Sequence, residues 1–324
     1  MSLVREQLAN LKTSHSITSE SVYSGLSEAE KRTLTGKGYK VYQGKVRELV
    51  QKDQDLYILH SDRLSAFDRY IALVPYKGLI LSELSRYWLE KANTVVKTHF
   101  VSALNERVLK VEACEPVKAE VIVRGYMAGS MMRAYEKGVR EFCGQTLEDG
   151  LKPYQKLPKP IITPTSKADV FEHDEETTAA ELISDGICTE QEWHQIEKMA
   201  LDLFAYGQKV YEEKGWILVD TKYEFGRSQK DGSICVIDEI HTPDSSRLWV
   251  KDSYESELAK GRSPEMLDKE IVRRYLMEQG FTGEGEAPAV PTELLISLSE
   301  VYLNVAEALL EEPLSITTDT YFDV

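Results

Sequence analysis

The spacing of apolar and polar residues changes several times along the chain, and each change predicts an element. Residues 1–35 are mostly polar with helical spacing, an N-terminal extension. From Gly38 the pattern becomes β-rich, in runs around 39–50 and 56–60. The polar KDQD at 52–55 lies between them, which predicts an antiparallel hairpin. Residues 79–93 place Leu81, Leu84, Tyr87 and Trp88 on the apolar face of a helix. Strands are predicted near 107–113 and 119–124, with CEPV at 114–117 as a hinge between domains. Pro153, Pro158, Pro160 and Pro164 predict an extended loop over 150–165. A long helix is predicted from about 190 to 214. Thr189 and Glu192 fit a capping box, Trp193, Ile196, Met199, Ala200, Leu203 and Phe204 share one face, and Gly215 suits the C-terminal cap. A strand at 216–225, a turn at Asp231-Gly232 and a strand at 234–240 follow, then helices over 263–280 and 292–312 around GFTGEGEAPAVP. Strands in hairpins with helices between them predict an α+β fold, not a parallel α/β sheet.

Bulk composition narrows the class. With 324 residues there is material for roughly two domains. Hydrophobic residues make up 42% and charged residues 29%, a globular profile. No apolar run approaches the ~18 residues of a membrane span. The start, MSLVREQLANLKTSHSIT, lacks the basic opening and apolar core of a signal peptide, so a cytoplasmic location is expected. Cys114, Cys143, Cys188 and Cys235 are scattered, without the spacing of a zinc site. The net charge of −15, from 39 basic and 54 acidic residues, argues against nucleic-acid binding. It leaves room for a small phosphorylated ligand wherever Lys and Arg gather locally.

The sharpest chemistry lies in WILVDTKYEFG, 216–226. In a strand, Ile217, Val219, Thr221, Tyr223 and Phe225 point one way, and Asp220, Lys222 and Glu224 the other. Three charges on one face must be wet, paired or ligand-bound. A hairpin turning near 231 brings back SICVIDEI, with Glu224 facing Asp238 if the turn centres on Asp231 and Glu239 if it is a two-residue turn. Facing carboxylates repel unless a cation such as Mg²⁺ lies between them. The plainer alternative is an exposed sheet face with an Asp–Lys–Glu salt network. DEIHTPDSSRLW, 238–249, then delivers Ser and Arg, good phosphate donors, to the end of the same strand.

Other cations sit at separate stations. GKVRE, 44–48, places Lys45 and Arg47 on one strand face; it is no Walker loop, since five residues separate Gly38 from Gly44 and Val46 stands where Ser or Thr would hold Mg²⁺. Such a hairpin can still cover phosphates from above. In VIVRGYMAGSMMRAYEKG, 121–138, a strand ends in Arg124 and Gly129-Ser130 opens a helix, a ready phosphate site. ITPTSKADVFEHDE, 162–175, holds Thr163, Thr165, Ser166 and Lys167 in a loop before His173-Asp174-Glu175, which reads as a metal ligand set or as a helix cap at Asp174. SDRLSAFDR, 61–69, is a polar loop with Asp62, Arg63, Ser65 and Asp68.

Taken in order, GKVRE, SDRLSAFD, VIVRGYMAGS, ITPTSKAD with HDE, LVDTKYEFG and DEIHTPDSSRLW resemble the SAICAR synthetase family over about 40 to 280, in its longer form. The resemblance implies a kinase-like N-terminal β-domain, an ATP-grasp-like second domain and C-terminal helices. The expected ranges are 1–115, 116–250 and 251–324, with ATP between the first two. It implies a ligase that joins L-aspartate to carboxyaminoimidazole ribonucleotide (CAIR), with ATP and Mg²⁺. By similarity, Glu224 and Asp238 hold the metal, which selects Asp238 over Glu239. Lys45 and Arg47 lie over the ATP phosphates, and the adenine meets the strand near Glu120. Arg124, Ser130 and Arg247 take the ribonucleotide phosphate, and Asp244 and Ser246 also reach the nucleotide substrate. Asp220 and Lys222 face CAIR, and Lys167 lies near the reacting groups. MLDKEIVRR, 266–274, carries over Lys269 and Arg273 as substrate contacts, and Ser65 and Asp68 complete the set. A small-molecule kinase of related fold is the competing reading; the HRD and DFG signatures of protein kinases are absent.

Overall fold

Strand pairing and helix packing divide the chain into two units. In the computed structural model, which describes residues 2–167 and 175–316, one unit takes Met1–Trp88, Phe100–Ala113 and Asp268–Val324, and the other Leu89–His99 and Cys114–Leu267. The α+β expectation holds: every strand pair within the sheets is antiparallel.

The first unit is built on a five-stranded sheet in the order Lys40–Gln43, Arg47–Lys52, Asp55–His60, Val108–Glu112, Phe100–Asn105. The predicted hairpin is present, with Lys52 paired to Asp55 across the turn. Leu26, Leu34, Val50, Tyr57, Leu59 and Val108 form a core on this sheet. The polar N-terminus forms two helices, Leu3–Ser14 and Glu28–Gly36, the second started by a Ser27/Glu30 capping box. The first buries Val4, Leu8 and Leu11 and meets the helix Thr292–Leu310, where Arg5 pairs with Glu307 and Lys12 with Glu300. A small hairpin, Arg63–Ala66 with Arg69–Leu73, turns through Phe67 and Asp68. Asp62 is fully buried before it and pairs with Arg107 at 2.8 Å. The segment 263–280 is helical only over Glu270–Glu278.

The second unit carries a sheet ordered Lys156–Ser166, Cys114–Tyr126, Trp216–Ser228, Ile234–Ile237, and Ser246–Val250 also pairs with Trp216–Ser228. CEPV therefore opens a continuous strand. The Pro-rich run is a strand too, not a loop, and it takes Thr163, Thr165 and Ser166 with it. It survives because it lies at the sheet edge. The ladder is irregular between Lys156 and Ile161, across Pro158 and Pro160, and an edge strand tolerates a missing N–H at Pro164. The long helix, Glu190–Glu213, starts with the expected Thr189/Glu192 capping box and buries the predicted apolar face. It covers the sheet face of Val121, Val123 and Gly125, where the Phe204 ring lies 3.2 Å from the place a Gly125 Cβ would take. Among the described residues no helix is long and apolar enough to cross a membrane.

Candidate active site on the antiparallel sheet

The face of this sheet away from the long helix carries the charges. Asp220, Lys222 and Glu224 alternate along Trp216–Ser228 as expected, and the register sets Arg124 beside Asp220, Ile122 beside Lys222 and Glu120 beside Glu224. Arg247 stands opposite Asp220 on the other flank. The row resolves into two clusters. In one, Asp220 pairs with Arg247 at 2.8 Å and Arg124 at 3.7 Å, and Arg124 donates to the Thr163 hydroxyl at 2.8 Å and to Ser130 at 3.1 Å. In the other, Lys222 bridges Glu120 at 2.6 Å and Glu224 at 2.8 Å, and Lys167 pairs with the second oxygen of Glu224. Two carboxylates directly opposite each other repel; the Lys222 ammonium between them is what makes the pairing stable.

Electrostatics follow from these contacts. Burial alone disfavours the Lys222 ammonium, but the carboxylates of Glu224, Glu120 and Asp238 outweigh it and hold the group well above the usual lysine range. Burial likewise works against the Glu224 carboxylate, and Lys222 and Lys167 overcome it, leaving that group well below the usual range. Burial lowers the Arg124 guanidinium, opposed by Asp220. Lys222 is therefore a fixed positive charge, not a proton donor, near neutral pH.

The hairpin register differs from both expected alternatives. Glu224 pairs with Ile237, one residue short of Asp238. The strand ends there because Asp238 takes a left-handed backbone, φ 65°, a conformation Asp tolerates better than most residues. Asp238 still reaches Lys222 electrostatically. Glu239 is buried and accepts a 2.5 Å hydrogen bond from Thr242 in its own loop. His241 anchors the loop: its carbonyl accepts from Tyr211, its Nε2 meets the Tyr223 hydroxyl at 2.5 Å, and its ring lies where a Gly207 Cβ would be. Asp244 is buried in the same loop. Ser246 departs from expectation, since it pairs with Thr221 and its hydroxyl donates to Thr221 at 2.8 Å, on the face away from Lys222.

Burial depresses His241 to about 3, so the fold holds the neutral ring. The unfolded chain binds that proton near pH 6.5, so stability is full above that value and is lost as pH falls below it. Between pH 7 and pH 5, urea unfolding should show the wild type losing about 2 kcal/mol more than His241→Gln. Equal losses would place the neutral ring elsewhere.

The helix Gly129–Glu136 begins beside the arginines. Gly129 has φ 62°, and a Cβ there would fall 2.6 Å from an Arg247 guanidinium nitrogen. Only glycine lets the helix start this close to Arg247.

The remaining predicted residues lie in the first unit. Lys45 sits in the turn before Arg47–Lys52, not on the strand, and pairs with Asp68 at 3.1 Å; Arg47 opens the strand. Ser65 lies half-buried in Arg63–Ala66. Lys269 caps the helix Glu270–Glu278, and the Arg273 guanidinium lies 4.5 Å from the centre of the Phe67 ring. His173 and Asp174 lie outside the described residues. The contacts of Thr163 with Arg124 and of Gly129 with Arg247 cross the sheet, beyond any local spacing.

The sequence profile described as SAICAR synthetase matches residues 40–289. A phosphoribosylaminoimidazole-succinocarboxamide synthase of Flavobacterium psychrophilum is 41% identical over 276 residues, 84% of this chain and 87% of that one. Its counterpart in Legionella pneumophila is 39% identical over 278 residues, 84% and 88%. Among solved structures, a SAICAR synthase from Saccharomyces cerevisiae complexed with SAICAR aligns with TM-score 0.73 and 29% identity, over 85% of this chain and 96% of that one. A SAICAR synthetase in complex with ADP aligns with TM-score 0.65 and 27% identity, over 85% and 99%. Sequence and fold agree along most of the length, and the chain belongs to the SAICAR synthetase family.

Proposed function

We propose that this carbon–nitrogen ligase of purine biosynthesis joins L-aspartate to the carboxylate of CAIR, with ATP converted to ADP and phosphate, to give SAICAR. The observation that carries the reading is Lys222 held between Glu120 and Glu224, next to the arginine pair on Asp220. It sets a fixed cation beside a phosphate-binding pocket. The SAICAR complex of the yeast relative and the ADP complex of another support substrate and nucleotide classes.

Arg124, Arg247 and Ser130, at the start of Gly129–Glu136, receive the ribonucleotide phosphate; Asp220 keeps both guanidiniums in place. Asp220 and Lys222 face CAIR, and Asp244 shapes the loop around it. Ser246, turned to Thr221, supports that loop instead of touching the nucleotide through its side chain. Lys45 and Arg47 cover the ATP phosphates, and Glu120 borders the adenine. By resemblance to the family, Ser65, Asp68, Lys269 and Arg273 are further substrate contacts. Glu224 and Asp238 offer hard carboxylate oxygens, the donor class Mg²⁺ takes, and Lys167, 38% exposed, is free to swing from Glu224 to the reacting groups. When bound, Mg²⁺ neutralises charge on the transferring phosphate.

A carboxylate is a poor acyl donor, so it is activated first. The CAIR carboxylate oxygen bonds to the γ-phosphorus as the bond to ADP breaks, giving an acyl phosphate. The aspartate amine then bonds to the acyl carbon, phosphate leaves with the C–O electron pair, and the amine loses a proton. The first step brings anions together; Lys222, held protonated by its carboxylate partners, stabilises them together with Lys167. The cytoplasmic location belongs to the same reading, supported by four cysteines that form no disulfide.

ADP release should require both CAIR and L-aspartate, with SAICAR formed in equal amount. Equally fast ADP release without aspartate, and no SAICAR, would leave a small-molecule kinase in its place.

A further inference from the structure

The turn that carries Lys45 is held by its own carbonyl oxygens. Arg63, a buried residue, donates from Nε to Lys45 O at 3.0 Å, from Nη2 to Gly44 O at 3.3 Å and from Nη1 to Ser24 O. The same guanidinium pairs with the buried carboxylate of Glu48 at 2.9 Å. Ser61 takes the next carbonyl, Val46 O, with its hydroxyl at 2.6 Å and its amide at 3.3 Å. Gly44 N closes the turn on Arg47 O at 2.8 Å. The packing leaves no slack: a Cβ on Gly25 (φ 111°) would fall 2.6 Å from Arg63 Nη1 and still closer to Glu48.

Three consecutive carbonyls, Gly44, Lys45 and Val46, thus turn toward Ser61 and Arg63. In a trans peptide the N–H of the next residue points opposite to the C=O. The amides of Lys45, Val46 and Arg47 therefore point away from Ser61 and Arg63. Among the described residues neither the Lys45 nor the Val46 amide donates a hydrogen bond. Successive amides aimed one way form a concavity that takes an anion. An Arg needed only to neutralise Glu48 would have no reason to gather three carbonyls as well.

We propose that Arg63 and Ser61 are positioning residues for the nucleotide: they hold the carbonyls of the turn inward so that the Lys45 and Val46 amides face the phosphates of ATP. The proposal rests on the reading of this turn as the cover of those phosphates. Neither residue touches substrate; both act through the turn.

The test is steady-state ADP release by the full-length enzyme, with ADP and adenosine as competing ligands, for Ser61→Ala, Arg63→Lys and Lys45→Ala. Arg63→Lys keeps a cation for Glu48 but cannot reach three carbonyls at once. Ser61→Ala should raise the KM for ATP about 3- to 10-fold, and Arg63→Lys about 10-fold or more, the scale of one and of several lost hydrogen bonds. The KM values for CAIR and aspartate, and inhibition by adenosine, should stay within about 2-fold, while ADP inhibition weakens in step with ATP; a merely structural role would not separate ADP from adenosine. If Lys45→Ala raises the KM for ATP but the other two do not, the turn covers the phosphates and the positioning role is wrong. If Lys45→Ala is also without effect, the underlying reading of the turn fails, and the proposal with it. Should Arg63→Lys fail to fold, Ser61→Ala, which deletes one hydroxyl, decides between these outcomes.

Discussion

Lys222→Met is expected to lower kcat by about a thousandfold or more, the scale set by removing one preorganised charge from where anionic charge develops. The side chain is close in length and apolar, so the strand keeps its packing, and a far-UV spectrum should match the wild type. What disappears is the ammonium that Glu120 and Glu224 share at 2.6 and 2.8 Å. Those carboxylates then face each other with Lys167 alone to offset them. The Glu224 carboxyl, held low chiefly by Lys222 against its burial, should titrate at higher pH in the variant. A depressed carboxylate contributes stability above its unfolded value and loses it as pH falls through its folded one. Both proteins begin to lose this contribution near the unfolded glutamate value, but the variant, with its folded value raised toward it, should lose less stability on acidification than the wild type. Turnover near the wild-type rate would remove Lys222 from the mechanism.

Local periodicity was enough for the elements that build this site, and not for the pairings between them. The alternation of WILVDTKYEFG placed Asp220, Lys222 and Glu224 on one face, because a strand permits nothing else. Thr189 and Glu192 marked the start of the long helix, because a capping box is satisfied within four residues. The partners of those charges lie 102 residues away for Lys222 and Glu120 and 27 for Asp220 and Arg247, and no period encodes them. An internal Asp–Lys–Glu network was one expectation, yet Asp220 turns to the arginines and Lys222 bridges two glutamates instead. The Pro-rich strand is not legible in the sequence for a related reason: proline forbids a central strand, and only the sheet order shows that Lys156–Ser166 is an edge. The hairpin register slipped by one because the turn closes between Ser228 and Ser233, and a left-handed residue ends the strand at Ile237. Arg63 was visible only as part of a polar loop; its grip on the 44–46 carbonyls is a tertiary fact.

That slip bears directly on the metal. With Ile237 opposite Glu224, strand alternation no longer chooses between Asp238 and Glu239, and the choice passes to the loop. Asp238 acts on Lys222, whereas Glu239 is buried and committed to Thr242. Asp238→Asn keeps the shape, and Asn accepts a left-handed backbone, so the fold should be unchanged. It removes one of the two anionic donors proposed for the hard cation. The Mg²⁺ concentration for half-maximal activity should rise by about tenfold or more, about 1.4 kcal/mol. Glu239→Gln can still accept from Thr242 and should shift it by less than about threefold. A readout apart from turnover is the binding of Mn²⁺ in place of Mg²⁺, followed by its spin-resonance signal with ADP present. It should weaken in Asp238→Asn and not in Glu239→Gln. The reverse order would mean that Glu239 leaves Thr242 to hold the metal, and that the loop in this structure must rearrange before ATP binds.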